Sequence, residues 1–174
     1  MRRRLVNVIL ILLAFVIQTS LFPLVPYLVV SPNLLLIVIF SIAFVYGEID
    51  GVVFGVLAGL LMDMFYSGPF GYFTIIYGWI GFINGFFSSY YYDDYIFLPM
   101  IMCTVNEVIY NMLLFIMRYI QRGKTDFFYY LRTLILPELI LTVLFALLLY
   151  RGIIALNRKL KKLDDTKKVN QLVQ

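Results

Sequence analysis

Two carboxylates stand inside strongly apolar runs. Glu107 lies near the middle of the segment containing CTVNEVIYNMLLF, and Asp63 follows a glycine row in GVVFGVLAGLLMDMF, residues 51–65. An ionised carboxylate at bilayer depth costs about 2.5–3.5 kcal/mol on insertion scales, so such a residue turns inward and finds partners. No Lys or Arg occurs between Arg4 and Arg118, so Glu107 is read as protonated or as hydrogen-bonded to neutral groups. Asn106, Tyr110 and Asn111 are within helical reach of it, and Asn84 and Asn7 can join from other segments. This polar cluster has two readings. It is interhelical hydrogen-bond glue, or it lines a cavity for a lipid headgroup or a polar residue of a partner.

Asp63 is best read with the residues before it. Gly51, Gly55 and Gly59 recur every fourth residue, and the next step of four is Asp63. Lipid offers little hydrophobic force between helices, so small residues mark places of close backbone approach. Steps of four keep this row on one side of a helix, widened by Ala58. The next segment carries Gly78, Gly81 and Gly85, with Gly81 and Gly85 repeating the spacing. The rows pack against each other or admit a partner's helix. Asp63, at the row's end, can bind backbone N–H groups of the following turn or of the next helix start, where a carboxylate is favoured. That makes it a latch, with a ligand or partner contact as the other reading. Glu48 and Asp50 are expected to cap the other end of the same helix.

Little else supports catalysis. The chain has no histidine and one cysteine, which excludes a His-based acid–base centre, a Cys/His metal site and an intrachain disulfide. Cys103 lies in an apolar segment and reads as a small packing residue. Asp93 and Asp94 sit among tyrosines, as a solvated loop would. No cofactor, metal or nucleic-acid partner is expected.

The elements that must hold these residues are membrane helices. The 174 residues are 63% apolar with mean hydropathy +0.93, more than a soluble core needs. Six apolar segments approach the roughly 20 residues needed to span the hydrocarbon core. They cover about 5–22, 33–46, 50–66, 71–90, 96–118 and 134–156. The second is short, and residues 33–66 could instead form a re-entrant hairpin. Residues 127–131, FFYYL, read as a separate interfacial segment before the last helix. The charged start Arg2-Arg3-Arg4 lacks a small-x-small cleavage site downstream, so the first segment reads as a retained helix rather than a leader.

Arg2 to Arg4 begin the chain, and Arg151, Arg158, Lys159, Lys161, Lys162, Lys167 and Lys168 end it. Both termini are therefore expected on the cytoplasmic side. Arg118, Arg122, Lys124 and Arg132 dissent, since six spans place their loop outside. Either they anchor helix ends by snorkelling, or they meet an acidic partner or lipid headgroups. Residues 1–162 are read as one membrane domain and 163–174 as a flexible tail, with anionic lipid as a partner of its basic start.

Residues 32–87, PNLLLIVIFSIAFVYGEIDGVVFGVLAGLLMDMFYSGPFGYFTIIYGWIGFINGFF, resemble the central part of the MreD family. Carrying the resemblance are Pro32-Asn33, Gly47-Glu48 with Gly51, the glycine row, Asp63, Gly68 with Gly71, and Tyr77 with Gly81 and Gly85. The resemblance implies a multi-pass inner-membrane protein of rod-shaped bacteria that is not an enzyme. It implies partnership with an MreC-like protein, with MreB, RodA and a class B penicillin-binding protein in the wider complex for cell-wall elongation. It also implies an all-α fold of about six transmembrane helices, similar to the S-components of energy-coupling-factor transporters. An actual S-component capturing a vitamin-like molecule is the alternative. Against it, Ala14 is followed four residues on by Gln18, where that family's coupling pattern has a second small residue. A lipid or precursor transporter is a third reading, with the Glu107 cluster its only polar path.

Overall fold

The computed structural model describes residues 2–25, 30–66, 69–90, 97–117 and 126–172, and every regular element among them is helical. Helix α1 covers Arg2–Val16, α2 Leu34–Tyr46, α3 Glu48–Phe65, α4 Tyr72–Phe86, α5 Phe97–Phe115, α6 Phe127–Tyr130 and α7 Leu136–Leu172. The expected segments at 33–46, 50–66, 71–90 and 96–118 thus correspond to α2 to α5.

Residues of opposite character have exchanged their usual places. Asn7, Gln18, Asn33, Asp63, Asn84, Asn106, Glu107, Asn111, Thr142 and Asn157 are buried, while Leu13, Met64, Ile75, Trp79, Phe86, Ile116 and Leu148 are largely exposed. Water would penalise this arrangement and lipid favours it, since polar side chains in hydrocarbon must find partners inside the bundle. Among the described residues, two helical runs, Arg3–Leu24 and Phe127–Lys161, are long and apolar enough to cross a membrane.

Helix α2 is the core. It is apolar all round, and Leu34 to Phe44 are buried without a break, as expected of a helix enclosed on every side. It packs on α1, α3, α4, α5 and α7. At ~1.5 Å per residue its 13 residues rise only about 20 Å, short of the ~30 Å hydrocarbon core. All its initial N–H groups are satisfied locally. Leu34 donates to the Pro32 carbonyl at 3.0 Å and Ile37 to the Asn33 carbonyl at 3.3 Å. Leu35 donates to Gln18 Oε1 at 3.1 Å and Leu36 to Asn33 Oδ1 at 3.2 Å. Gly47 then reverses the chain into α3 at φ +88°, a conformation that disfavours any β-carbon.

Both basic ends of the chain lie at one end of the bundle. Arg3 pairs with Asp50 at 3.0 Å and stands 4.7 Å over the Tyr46 ring. Lys161 Nζ donates to the Val45 carbonyl at 2.8 Å, and Tyr46 Oη to the Asn157 carbonyl at 2.8 Å.

The structure departs from the sequence expectation at the FFYYL stretch. The FFYYL stretch is not separate: α6 runs through a π-helical segment, Leu131–Ile135, directly into α7, and Tyr130 is buried beside Phe115. Pro137 lacks the N–H that would close an ordinary turn on residue 133, and a widened turn before it accommodates that loss. A second π segment, Ile17–Leu21, precedes Pro23 in the same way. Helix α7 continues to Leu172. The Asp93-Asp94 loop, the Ser67-Gly68 turn and Arg118, Arg122 and Lys124 lie outside the described residues.

Candidate functional site

Helices α3 and α4 meet backbone to backbone. A β-carbon on Gly51 would fall on the Gly81 carbonyl oxygen, and one on Gly81 on the Gly51 carbonyl oxygen. Likewise Gly55 faces the Tyr77 carbonyl, Gly59 the backbone of Phe73 and Thr74, and Gly85 the backbone of Glu48. The two glycine rows are thus consumed by each other, giving a plate with almost no side chain in its seam. Gly78 is the exception. Its missing β-carbon would meet only Val56 Cγ2, at 3.3 Å. It floors an open apolar groove of about 450 Å³ bordered by Val52, Val56, Ile75, Trp79 and Phe82.

Asp63 closes the end of the seam. Its Oδ1 accepts the Phe73 N–H at 3.0 Å, and its Oδ2 accepts the Thr74 N–H at 3.0 Å and the Thr74 hydroxyl at 2.5 Å. A carboxylate on free N–H groups at a helix start is favoured by both hydrogen bonding and the helix dipole. Gly71, at φ +93°, turns α4 so that these N–H groups face α3. At the other end, Glu48 and Asp50 stand in the first turn of α3, where the cap is Gly47 without a side-chain bond. Asp50 binds Arg3 instead.

The expected polar cluster separates into two sites, because consecutive residues of a helix point about 100° apart. Asn106 faces α4 and donates to Asn84 Oδ1 at 2.9 Å, while Asn84 Nδ2 donates to the Ile80 carbonyl at 2.6 Å. Glu107 faces α2 and α7. Its Oε1 accepts from Asn111 at 3.1 Å and from Thr142 Oγ1 at 3.5 Å. Oε2 has no hydrogen-bond partner among the described residues, and Asn33 lies alongside. The Tyr110 ring packs tilted against that of Tyr77, with centroids 5.5 Å apart, and the Tyr77 hydroxyl donates to Asn33 Oδ1 at 2.9 Å. Asn7 is fully buried, its two side-chain polar atoms have no hydrogen-bond partner among the described residues, and it joins neither site.

Sequence reasoning missed the hub of this arrangement. Asn33 caps α2, receives Tyr77 and donates its own N–H to Thr142 Oγ1 at 2.9 Å. Ser-Pro-Asn directly before an apolar run is an N-cap signal, so Asn33 could have been found. Thr142 could not, since a lone threonine in an apolar helix commonly bonds its own backbone.

Beyond this layer, away from the basic ends, a cavity of about 270 Å³ opens between the π-helical segment after α1, the end of α3, α5 and the start of α7. Gln18, Ser31, Tyr66, Tyr110, Tyr130 and Glu138 supply its polar lining.

Buried amides and carboxyls under an apolar exterior define a helical membrane protein whose polar groups hold the helices to one another. A family model, that of the rod shape-determining protein MreD, matches residues 1–160. The chain belongs to this family of membrane proteins, which acts in rod shape determination. Neither a curated protein nor a solved structure matches the chain.

Proposed function

We propose that this chain is a multi-pass scaffold of the cell-wall elongation machinery, with both termini cytoplasmic. It acts by binding the transmembrane helix of an MreC-like partner, and through it the peptidoglycan synthases RodA and a class B penicillin-binding protein, near MreB. It performs no chemistry of its own.

The observation that carries this reading is the groove over Gly78. The α3–α4 seam is filled by its own backbone, so the plate is stiff. Its outer face nevertheless carries an open apolar groove, lined by the buried Gly78 between Val56, Trp79 and Phe82. A groove with a glycine between aromatic walls lets a second helix approach closely in lipid. The capture alternative would need a docking row on the first helix. Ala14 and Gln18 are instead buried in the bundle, and Gln18 is engaged with α2.

Site-directed photocrosslinking in native membranes tests the reading. A photoreactive residue at Val56 or Trp79 should trap an MreC-like protein, and one at Leu148, on the exposed side of α7, should not. Adducts at Val56 and Trp79 that contain only transporter ATPase subunits would favour the vitamin-capture alternative. Gly55 and Gly81 are unsuitable positions, because a side chain there would part the seam.

A further inference from the structure

We infer that the groove between α4 and α5 docks a second transmembrane helix, one that brings a hydrogen-bond donor to Asn106. The two helices are tied by the Tyr72 hydroxyl on the Leu113 carbonyl and by Asn106 on Asn84. Between these ties an apolar groove of about 460 Å³ runs along α4 from Tyr72 to Ile83. Ile76, Ile80 and Ile109 line it, and Asn106 contributes an amide. It is separate from the groove over Gly78. Ile75 and Trp79 line both grooves, are 63% and 60% exposed, and stand as the ridge between them.

The amide decides what fits. Asn106 is 3% exposed, and a chain of bonds fixes which way it faces. The Ile80 carbonyl can only accept, so Asn84 gives it Nδ2 at 2.6 Å and keeps Oδ1 for Asn106. Asn106 must then donate through its own Nδ2, at 2.9 Å. Its Oδ1 is left with no hydrogen-bond partner among the described residues, in a groove walled by isoleucines. An acceptor without a donor is costly in hydrocarbon, where no water replaces the missing bond. An acyl chain would fill the groove and leave that oxygen unpaired. A helix carrying a serine, threonine or carboxamide side chain fills it and pairs the oxygen. The shape agrees, since Tyr72 to Ile83 covers about three turns of helix. The register follows from Asn84, which stands next to Gly85, and Gly85 packs on Glu48. The donor therefore belongs on the half of the incoming helix nearer the basic termini.

Trp79 is the chain's one tryptophan and reports on the groove directly. The full chain in phosphatidylcholine vesicles is titrated with tryptophan-free, leucine-rich transmembrane peptides bearing a dansyl acceptor, and energy transfer from Trp79 is recorded. One peptide is apolar throughout, and the others carry a single serine stepped along their length. A serine in register should tighten binding about 3- to 20-fold over the apolar peptide, the fold-change equivalent of a hydrogen bond between membrane helices. Asn106→Leu should remove that gain. Ile109→Phe keeps the amide, narrows the groove and should also remove it, and this variant alone decides where Asn106→Leu does not assemble. Val56→Phe narrows the Gly78 groove instead and should leave the gain intact. No gain from serine at any position, a gain unchanged in the two groove variants, or its loss in Val56→Phe overturns the inference. So does quenching of Trp79 by brominated acyl chains that no peptide relieves, which would make the groove a lipid site. Val56 borders the Gly78 groove and not this one, so crosslinking from Val56 tests the MreC-like partner separately.

Discussion

Gly51 and Gly81 fill each other's missing side chains: the carbonyl oxygen of each occupies the place where the other's β-carbon would stand. Such reciprocity leaves no room for adjustment, because backbone cannot rotate away as a side chain can. Gly81→Ala should therefore lower stability by about 1–3 kcal/mol, the usual cost of overpacking. Gly78→Ala, facing only Val56 at 3.3 Å, should change it by less than ~0.5 kcal/mol, as for substitutions away from such features. Thermal unfolding of the two variants in one detergent gives the comparison. Equal losses would mean that the seam is looser than its geometry.

Asp63 holds the opposite end of the same seam with two N–H groups and a hydroxyl. Asp63→Ala leaves all three donors without their acceptor and should cost about 2–4 kcal/mol, from ~1–3 kcal/mol per buried unsatisfied group with partial relaxation. Thr74→Val removes one bond and should cost about 1 kcal/mol. Hydrogen exchange at the amides of Phe73 and Thr74 should quicken in Asp63→Ala and stay slow in Thr74→Val.

Asn84 and Asn106 form a side-chain to side-chain hydrogen bond between α4 and α5, in addition to the bond from the Tyr72 hydroxyl to the Leu113 carbonyl. A double-mutant cycle with Asn84→Leu and Asn106→Leu should return a coupling of ~0.6 kcal/mol and no more than ~1.7, the range for such bonds between membrane helices. A coupling near zero would show that each amide is satisfied by its own helix.

At Glu107 the shape of the side chain is expected to matter more than its charge. Glu107→Gln keeps an oxygen for Asn111 and Thr142 and should assemble and function normally. Glu107→Ala removes the carboxyl acceptor of the Thr142 hydroxyl and leaves Asn111 only the Glu107 carbonyl, at a cost of about 1–3 kcal/mol. Cell-shape complementation with matched protein levels separates the outcomes. Normal assembly without function in Glu107→Ala would exclude a purely structural role.

The Arg3–Asp50 pair is partly exposed, at 26% and 16%. Arg3→Ala should cost only ~0.2–1 kcal/mol, the range for exposed pairs, and added salt should shrink the difference. Melting at low and high salt checks this.

Much of the helix plan could be read directly because hydropathy and breakers are local properties. The ends of α2 to α5 follow Asn33, Gly47, the turn before Gly71 and the polar 91–96 stretch. The π turns could not be foreseen, since Pro23 and Pro137 signal only that a hydrogen bond is lost and not how the chain absorbs it. The site was legible in its residue types more than in its grouping. Asn106 and Glu107 look like one cluster in sequence, yet adjacent helical positions face different neighbours. Likewise, spacing gives Gly78 and Gly81 the same meaning, and only the rotation of α4 against α3 sets Gly81 on the Gly51 backbone and turns Gly78 to the Val56 side chain and the groove.

The sequence alone therefore determined an all-helical membrane protein without histidine chemistry, with two glycine rows and with carboxylates that had to be partnered. These follow from composition and period, which need no partner in space. Tertiary structure decided that the short helix α2 is the enclosed core and that Asn33 joins α2, α4 and α7. It also decided that a polar cavity forms where Gln18, Tyr66, Tyr130 and Glu138 meet. Those residues are far apart in the chain. Their meeting depends on how closely α3 and α4 approach and how the helices around them are turned, which no single segment encodes.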